Sequence, residues 1–200
     1  MKAKGKFIVL YGANNLGKSV QIRELTKKML EHKHEVLTIK YPMYKLEPTG
    51  PRINGILRDP KHPERGIDEL EFQKIYAQNR RDFQMTLESL LDAHINVVAE
   101  DYVGTSIAWG HTKGAELPDL ISINSDLRKP DLEILLDGER FSDGIEKGHR
   151  NEDTENIIWK KNRKIHLDLA DQFQWSRVNA NDTIENVHAN IWKLVNPILV

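Results

Sequence analysis

The eight residues GANNLGKS, at positions 12–19, constrain this chain more than any other stretch. They fit G-x-x-x-x-G-K-[ST], directly after the apolar run KFIVLYG and at the start of a segment with Ile22, Leu25, Met29 and Leu30 at helical spacing. A strand, a glycine-rich turn and a helix are the context in which this spacing holds a polyphosphate. The glycines let the backbone amides of Asn14, Asn15, Leu16, Gly17, Lys18 and Ser19 turn inward, and the helix that follows adds its positive N-terminal end. Lys18 is expected to bridge the β- and γ-phosphates of ATP and Ser19 to hold Mg²⁺, with Gly12 and Val20 completing the binding segment. An ordinary glycine turn before a helix is the weaker reading in that context.

The remaining chain alternates strand-like and helix-like segments. Short runs rich in β-formers lie at 6–12, 35–42, 94–100, 131–137 and 175–180. Helical spacing covers 18–33 and 67–93, and residues 46–57 read as turn-rich and then briefly helical. A last amphipathic helix follows Asp182, which sits three residues before Glu185 as an N-cap would. Five strands separated by helices predict an α/β fold of the P-loop NTPase type: a five-stranded parallel sheet flanked by helices on both faces. Two hundred residues suit a single domain, 1–200. The polar, glycine-dotted stretch at about 140–153 is either a solvated loop or a short lid.

Composition narrows the function classes. The net charge of −1 provides no global field for nucleic acid or an anionic membrane, so neither is expected as a partner. No apolar run approaches a membrane span, no signal peptide is apparent, and there is no cysteine, which together predict a cytoplasmic protein. The eight histidines have no metal-ligand spacing and read as surface or half-buried residues. GTPases need a base-reading N/T-K-x-D motif, which is lacking, and oligomeric ATPases are generally larger, so the loop points to a small-molecule kinase.

Over nearly its whole length the sequence resembles the thymidylate kinase family. The resemblance is carried by FIVLYGANNLGKSV, TIKYP followed by PTGPRINGILR, IYAQNRRDF, EDYVGTSIAWG, KPDLEILLD and the closing LDLADQFQWSRVNANDTIENVHANIW, in the family's order and spacing. It implies a homodimer that transfers a phosphoryl group from Mg·ATP to a pyrimidine deoxynucleoside monophosphate, dTMP to dTDP. By position, Tyr76 would stack on the base, Arg80 would hydrogen-bond it, Lys40, Tyr41 and Pro42 would line the monophosphate pocket, and Tyr102 would join them. Phe72, Tyr76 and Arg80 are four residues apart and share one helical face, which suits stacking beside planar hydrogen bonding. The competing arrangement buries Tyr76 and leaves Arg80 in water. Trp109 follows the acidic segment and is a candidate border of the substrate.

Three departures from the family pattern carry information. The acid before the loop's first glycine is Tyr11, the in-loop aspartate is Asn14, and the aspartate-arginine-tyrosine segment reads Glu100, Asp101, Tyr102. Glu100 still places a carboxylate at a strand's C-terminal end, where ligands bind in such sheets, and is expected to help hold Mg²⁺. Asp101 stands where relatives place an arginine that touches the acceptor phosphate. Three accounts fit. Asp101 points outward while Lys40, Lys45 or Arg52 grips the phosphate; or the acceptor is a nucleoside hydroxyl and Glu100 or Asp101 its base; or transfer is lost and a silent nucleotide-binding protein remains. The rest of the acceptor-pocket pattern is present, which favours the first. Because the loop has no arginine, the cation on the transferring group is sought in the lid, where Arg150, with Arg140 and Lys147 nearby, matches the family best.

Overall fold

The computed structural model describes residues 3–142, 149–151 and 157–199. Five strands, β1 (Phe7–Tyr11), β2 (Val36–Lys40), β3 (Asn96–Glu100), β4 (Leu132–Asp137) and β5 (Ser176–Asn179), form one parallel sheet in the order β2-β3-β1-β4-β5. β1 lies at its centre, with every residue buried. Its side chains alternate: Phe7, Val9 and Tyr11 join a core on one face, Ile8 and Leu10 a core on the other.

The second face is covered by α1 (Lys18–Glu31) and, late in the chain, α7 (Ile184–Val195), whose Ile22, Leu25, Met29, Val187 and Ile191 pack together. The first face is covered by α3 (Glu69–Asp92), α4 (Val103–Thr112) and α6 (Ile157–Phe173). Two shorter helices and a closing 3-10 turn, Asn196–Ile198, complete the described chain. α2 (Thr49–Arg58) packs Ile53, Ile56 and Leu57 against Phe72 and Ile75 of α3, and α5 (Leu117–Ser122) follows α4. The Asp68 side chain caps α3 by accepting from the Leu70 and Glu71 amides.

The sequence pattern gives α6 no span, whereas the five strands, α1, α3 and α7 stand where it places them. The cap of α7 does not: Thr183 is the N-cap, accepting from the Asn186 amide at 3.2 Å, and Asp182 lies one residue outside, holding the Thr183 amide at 2.7 Å. α4 and α5 were not anticipated. Lys147 and the rest of 143–148 and 152–156, within the expected lid, lie outside the described residues.

His166 on α6 also departs from expectation, since it is not near the surface but 1% exposed, with Nδ1 3.0 Å from the Asn162 carbonyl. Burial pulls its pKa from 6.5 down to about 4. Between these values the unfolded chain binds a proton that the folded chain refuses, so this contribution to stability is complete above pH 6.5 and is lost as pH falls. Urea unfolding followed across this window should show the wild type losing roughly 3 kcal/mol more than His166→Gln. Equal pH slopes for the two proteins would refute the assignment.

Candidate active site

The C-terminal ends of β1, β2 and β3 open into a cavity of about 480 Å³. At one end lies the glycine-rich loop. Gly12 (φ +148°) runs so close to β4 that a Cβ there would stand 2.6 Å from the Leu136 carbonyl oxygen, so no larger residue fits. Gly17, at φ 78°, is the N-cap of α1 and has no side chain to satisfy the helix's first amides, which are left for an anion. Residues 14–20 line the cavity, and Gly12 is not part of the lining. The loop is clamped from outside by groups that sequence reasoning missed. The Trp159 indole donates to the Asn14 carbonyl at 2.8 Å, and the Phe141 amide donates to that of Asn15 at 2.9 Å. Arg140, next in chain to Phe141, lies 5.9 Å from the Trp159 ring centre.

The two acids are at the middle of the cavity. Glu100 is paired in register with Lys40 on β2 and with Leu10 on β1. Its carboxylate accepts from Ser19 Oγ and from Lys40 Nζ, both at 2.6 Å. Burial works to raise the Glu100 pKa, but Lys18, Lys40 and these hydrogen bonds together hold it below the usual carboxylate range. Asp101 adopts a left-handed backbone, φ 63°, tolerated by aspartate, and this turns its carboxylate inward. Thr105 Oγ1 donates to Asp101 Oδ1 at 2.9 Å and Lys18 Nζ is 3.6 Å away. Burial and the adjacent Glu100 charge push the Asp101 carboxyl up, against the pull of Lys18, so of this coupled pair Asp101 is the one that takes a proton first. The outward Asp101 favoured from sequence is therefore incorrect. Lys45 and Arg52 are absent from the lining, and Arg52 is engaged with Glu64 at 2.8 Å.

The far end is built by α2, α3 and α4. Tyr76, Arg80, Tyr41, Pro42 and Trp109, residues the family resemblance or their place in sequence drew attention to, line the cavity, as does Lys40 beside Glu100. The face of α3 is ordered opposite to the competing arrangement, with Arg80 only 3% exposed. Its guanidinium packs near the Tyr41 and Tyr102 rings, and Nη2 donates to the Tyr102 carbonyl at 2.8 Å. Nε and Nη1 of Arg80 have no protein partner, a costly state for buried donors. Tyr102 is corrected to a supporting position: its ring is in the core, edge-on to Phe7 and against Tyr41, and does not line the cavity. Arg150 also lies off the lining. It pairs with Glu69 at 2.9 Å and covers the Phe72 ring, away from the loop, whereas its neighbours His149 and Asn151 do reach the cavity.

Further lining residues went unrecognised in the sequence. Gln73, at i−3 from Tyr76 and i−7 from Arg80, shares their helical face and could have been found by that spacing. Ser106 stands one turn before Trp109 on α4. Arg58, whose guanidinium stacks 4.6 Å from the Tyr44 ring centre, gave no signal beyond being a basic residue in a helix's last turn. Among the described residues no cluster of three or more His, Asp or Glu side chains forms a metal site, so any cation here takes few protein ligands.

A phosphate loop joined by one cavity to a tyrosine and arginine face is the layout of a two-substrate phosphotransferase, and the comparisons agree. The thymidylate kinase family model matches residues 10–191. The chain belongs to the thymidylate kinase family. It is a nucleoside-monophosphate kinase by that membership. Similar proteins include a probable thymidylate kinase of Pyrococcus horikoshii, 30% identical over 96% of both chains, and a thymidylate kinase of Caldicellulosiruptor saccharolyticus, 28% identical over 98% of both. The structure of thymidylate kinase from Candida albicans superposes with a TM-score of 0.81 at 22% identity, covering 98% of this chain and 93% of that one, and so supports the fold. Among the described residues no helix is long and apolar enough to cross a membrane.

The clamp on the loop is testable. Trp159→Phe keeps an aromatic ring but removes the indole bond to Asn14, and a hydrogen bond worth about 1 kcal/mol predicts roughly fivefold weaker ATP binding. Unchanged ATP affinity in calorimetric titration would show that the clamp does not shape the loop.

Proposed function

We propose that the chain transfers the γ-phosphoryl group of Mg·ATP to dTMP, forming dTDP. The observation that carries this reading is the single cavity with the glycine-rich loop at one end and Tyr76 and Arg80 at the other. The loop amides and Lys18 would hold the donor phosphates, and Lys18 now rests on the Gly12 and Ala13 carbonyls at 2.8 and 3.1 Å. Tyr76 offers a face to the pyrimidine, and a planar base carbonyl would complete the unmade donors of Arg80. Arg58 and the Tyr44 ring beneath it stand on the acceptor side and would grip its phosphate. Arg140 is off the cavity lining like Arg150, but it packs on Trp159, which bonds the loop, and so stands nearer the transferring group.

Ser19 Oγ and the Glu100 carboxylate are hard oxygen donors hydrogen-bonded to each other at the strand end, which fits Mg²⁺ held by few protein ligands plus phosphates. When bound, the ion neutralises charge on the β- and γ-phosphates. Lys40 would then have to yield its hold on Glu100. The homodimer rests on the family resemblance, and the cytoplasmic location on the sequence reading.

Asp101 is not required as a base in this reading, because a phosphate monoester with its second pKa near 6 is already ionised at neutral pH. The carboxylate instead damps the positive field of Lys18. A deoxynucleoside acceptor would need that base, so the test is a matched panel: thymidine, deoxyuridine, deoxycytidine and their 5′-monophosphates with Mg·ATP, products read by mass spectrometry. dTDP from dTMP is expected, and Lys18→Ala should abolish it. Phosphorylated product from nucleosides alone would replace this reading with nucleoside phosphorylation, and ATP binding without product would leave a silent binding protein.

Asp101→Asn separates the roles of the carboxylate further. Removing a negative charge that faces the phosphates should lower the KM for dTMP by about tenfold, well within the roughly 4 kcal/mol of a like-charge contact at 4 Å and effective dielectric 20. A collapse of kcat instead would make Asp101 a base.

A further inference from the structure

We infer that Arg150 is a positioning residue of the acceptor end, anchored by Glu69, and that it holds His149 and Asn151 over the acceptor rather than reaching the donor phosphates. This rests on the reading above that the far end of the cavity takes the acceptor nucleotide.

The contacts all point to that end. The Arg150 amide donates to the Leu57 carbonyl at the end of α2, at 3.0 Å. Its carbonyl accepts from Lys113 Nζ after α4, at 3.2 Å. Its guanidinium donates to Glu69 Oε2 at the start of α3, at 2.9 Å, reaches the Ile67 carbonyl at 3.4 Å, and lies 4.9 Å from the Phe72 ring centre. Arg150 is thus fixed by three helices that frame the acceptor end. His149 and Asn151, on either side of it in sequence, line the cavity, and Asn151 is 8% exposed.

The anchor is also wired to the cavity wall. Glu69 Oε1, the oxygen not used by Arg150, accepts from Gln73 Nε2 at 2.8 Å, and Gln73 Oε1 accepts from Ser106 Oγ. Gln73 and Ser106 both line the acceptor end. A continuous hydrogen-bonded chain therefore runs Ser106, Gln73, Glu69, Arg150. With side chains 10% and 17% exposed, Glu69 and Arg150 are an ion pair largely out of water, where loss of either partner strands the other. An acceptor that rearranges Gln73 or Ser106 would act on the hold over residues 149–151.

Initial-rate kinetics with dTMP and ATP each varied will decide. Arg150→Ala and Glu69→Gln should each raise the KM for dTMP by about tenfold or more, leaving the KM for ATP within about twofold. Arg150→Lys should recover part of the loss, since the charge returns without the second donor. The double variant Glu69→Gln/Arg150→Ala should be no worse than the weaker single, because both remove one interaction. A fall in kcat with unchanged dTMP KM would return Arg150 to the donor phosphates and overturn the inference, as would additive losses in the double variant. No dTDP from the wild type would sink the reading on which it rests; dTDP formed with an unaltered dTMP KM in Arg150→Ala would sink this inference alone.

Discussion

The Glu100 carboxylate, held between Ser19 and Lys40, is the interaction on which the rest of the site depends. At 8% exposure it would be costly if left alone. Its two hydrogen bonds, each 2.6 Å, tie together the start of α1, the end of β2 and the end of β3. Strand register delivers this: Lys40 and Glu100 are cross-strand partners on β2 and β3, and Leu10, one residue before Tyr11 and the loop, faces Glu100 from β1. A shift of one residue in any of these strands would turn the lysine or the carboxylate to the opposite face. The phosphate loop and the acceptor end are thus fixed relative to each other by the same hydrogen-bonded ladder that builds the core.

The same register explains why two acids stand at the mouth of a phosphate site. Once Glu100 is fixed, the Asp101 amide still continues the ladder to the Leu10 carbonyl at 3.1 Å, and the left-handed turn at Asp101 leaves its side chain in the cavity. Two carboxylates this close would repel strongly, but Lys18 and Lys40 interleave with them. The cluster is near neutral without substrate. In the proposed reading phosphates add negative charge to it, so Lys18 and Lys40 would transfer part of their pairing to substrate, helped by a cation at Ser19 and Glu100. On that reading the acids would hold the lysines in place until the phosphates arrive, which an arginine at position 101 would not do.

How much of this was legible in the sequence follows from where the signals lie. β1, the loop and α1 are local: period-two burial, two obligatory glycines and a helical repeat are contiguous and were read correctly. α4 was missed because nearly all of it is buried, including Gly104, Ser106, Ile107, Ala108 and Trp109, so it has no polar face and no amphipathic period. Depth was also illegible. Phe72, Tyr76 and Arg80 do share a face, but that Arg80 is the deeper and Tyr76 the half-buried member depends on Tyr41 and Tyr102, which come from other elements. Arg150 failed in the same way. Its partner Glu69 is 81 positions earlier, at the first turn of a helix where an acidic residue needs no other explanation.

The connection between β4 and α6 then acquires a meaning that neither end has alone. Near its start the Phe141 amide is bonded to the glycine-rich loop, and Arg140 lies over the ring of Trp159, which bonds the loop from the start of α6. Its residues 149–151 are fixed instead to α2, α3 and the end of α4, across the cavity. One stretch of chain is therefore attached to both substrate ends by independent hydrogen bonds, with the cavity between them. In phosphoryl transfer the barrier is lowered largely by bringing donor and acceptor oxygens into line and screening their charge. The described residues of this connection touch the two ends of the cavity separately. In the proposed reading the two arginines that look interchangeable in sequence divide between these ends, Arg140 near the donor and Arg150 at the acceptor.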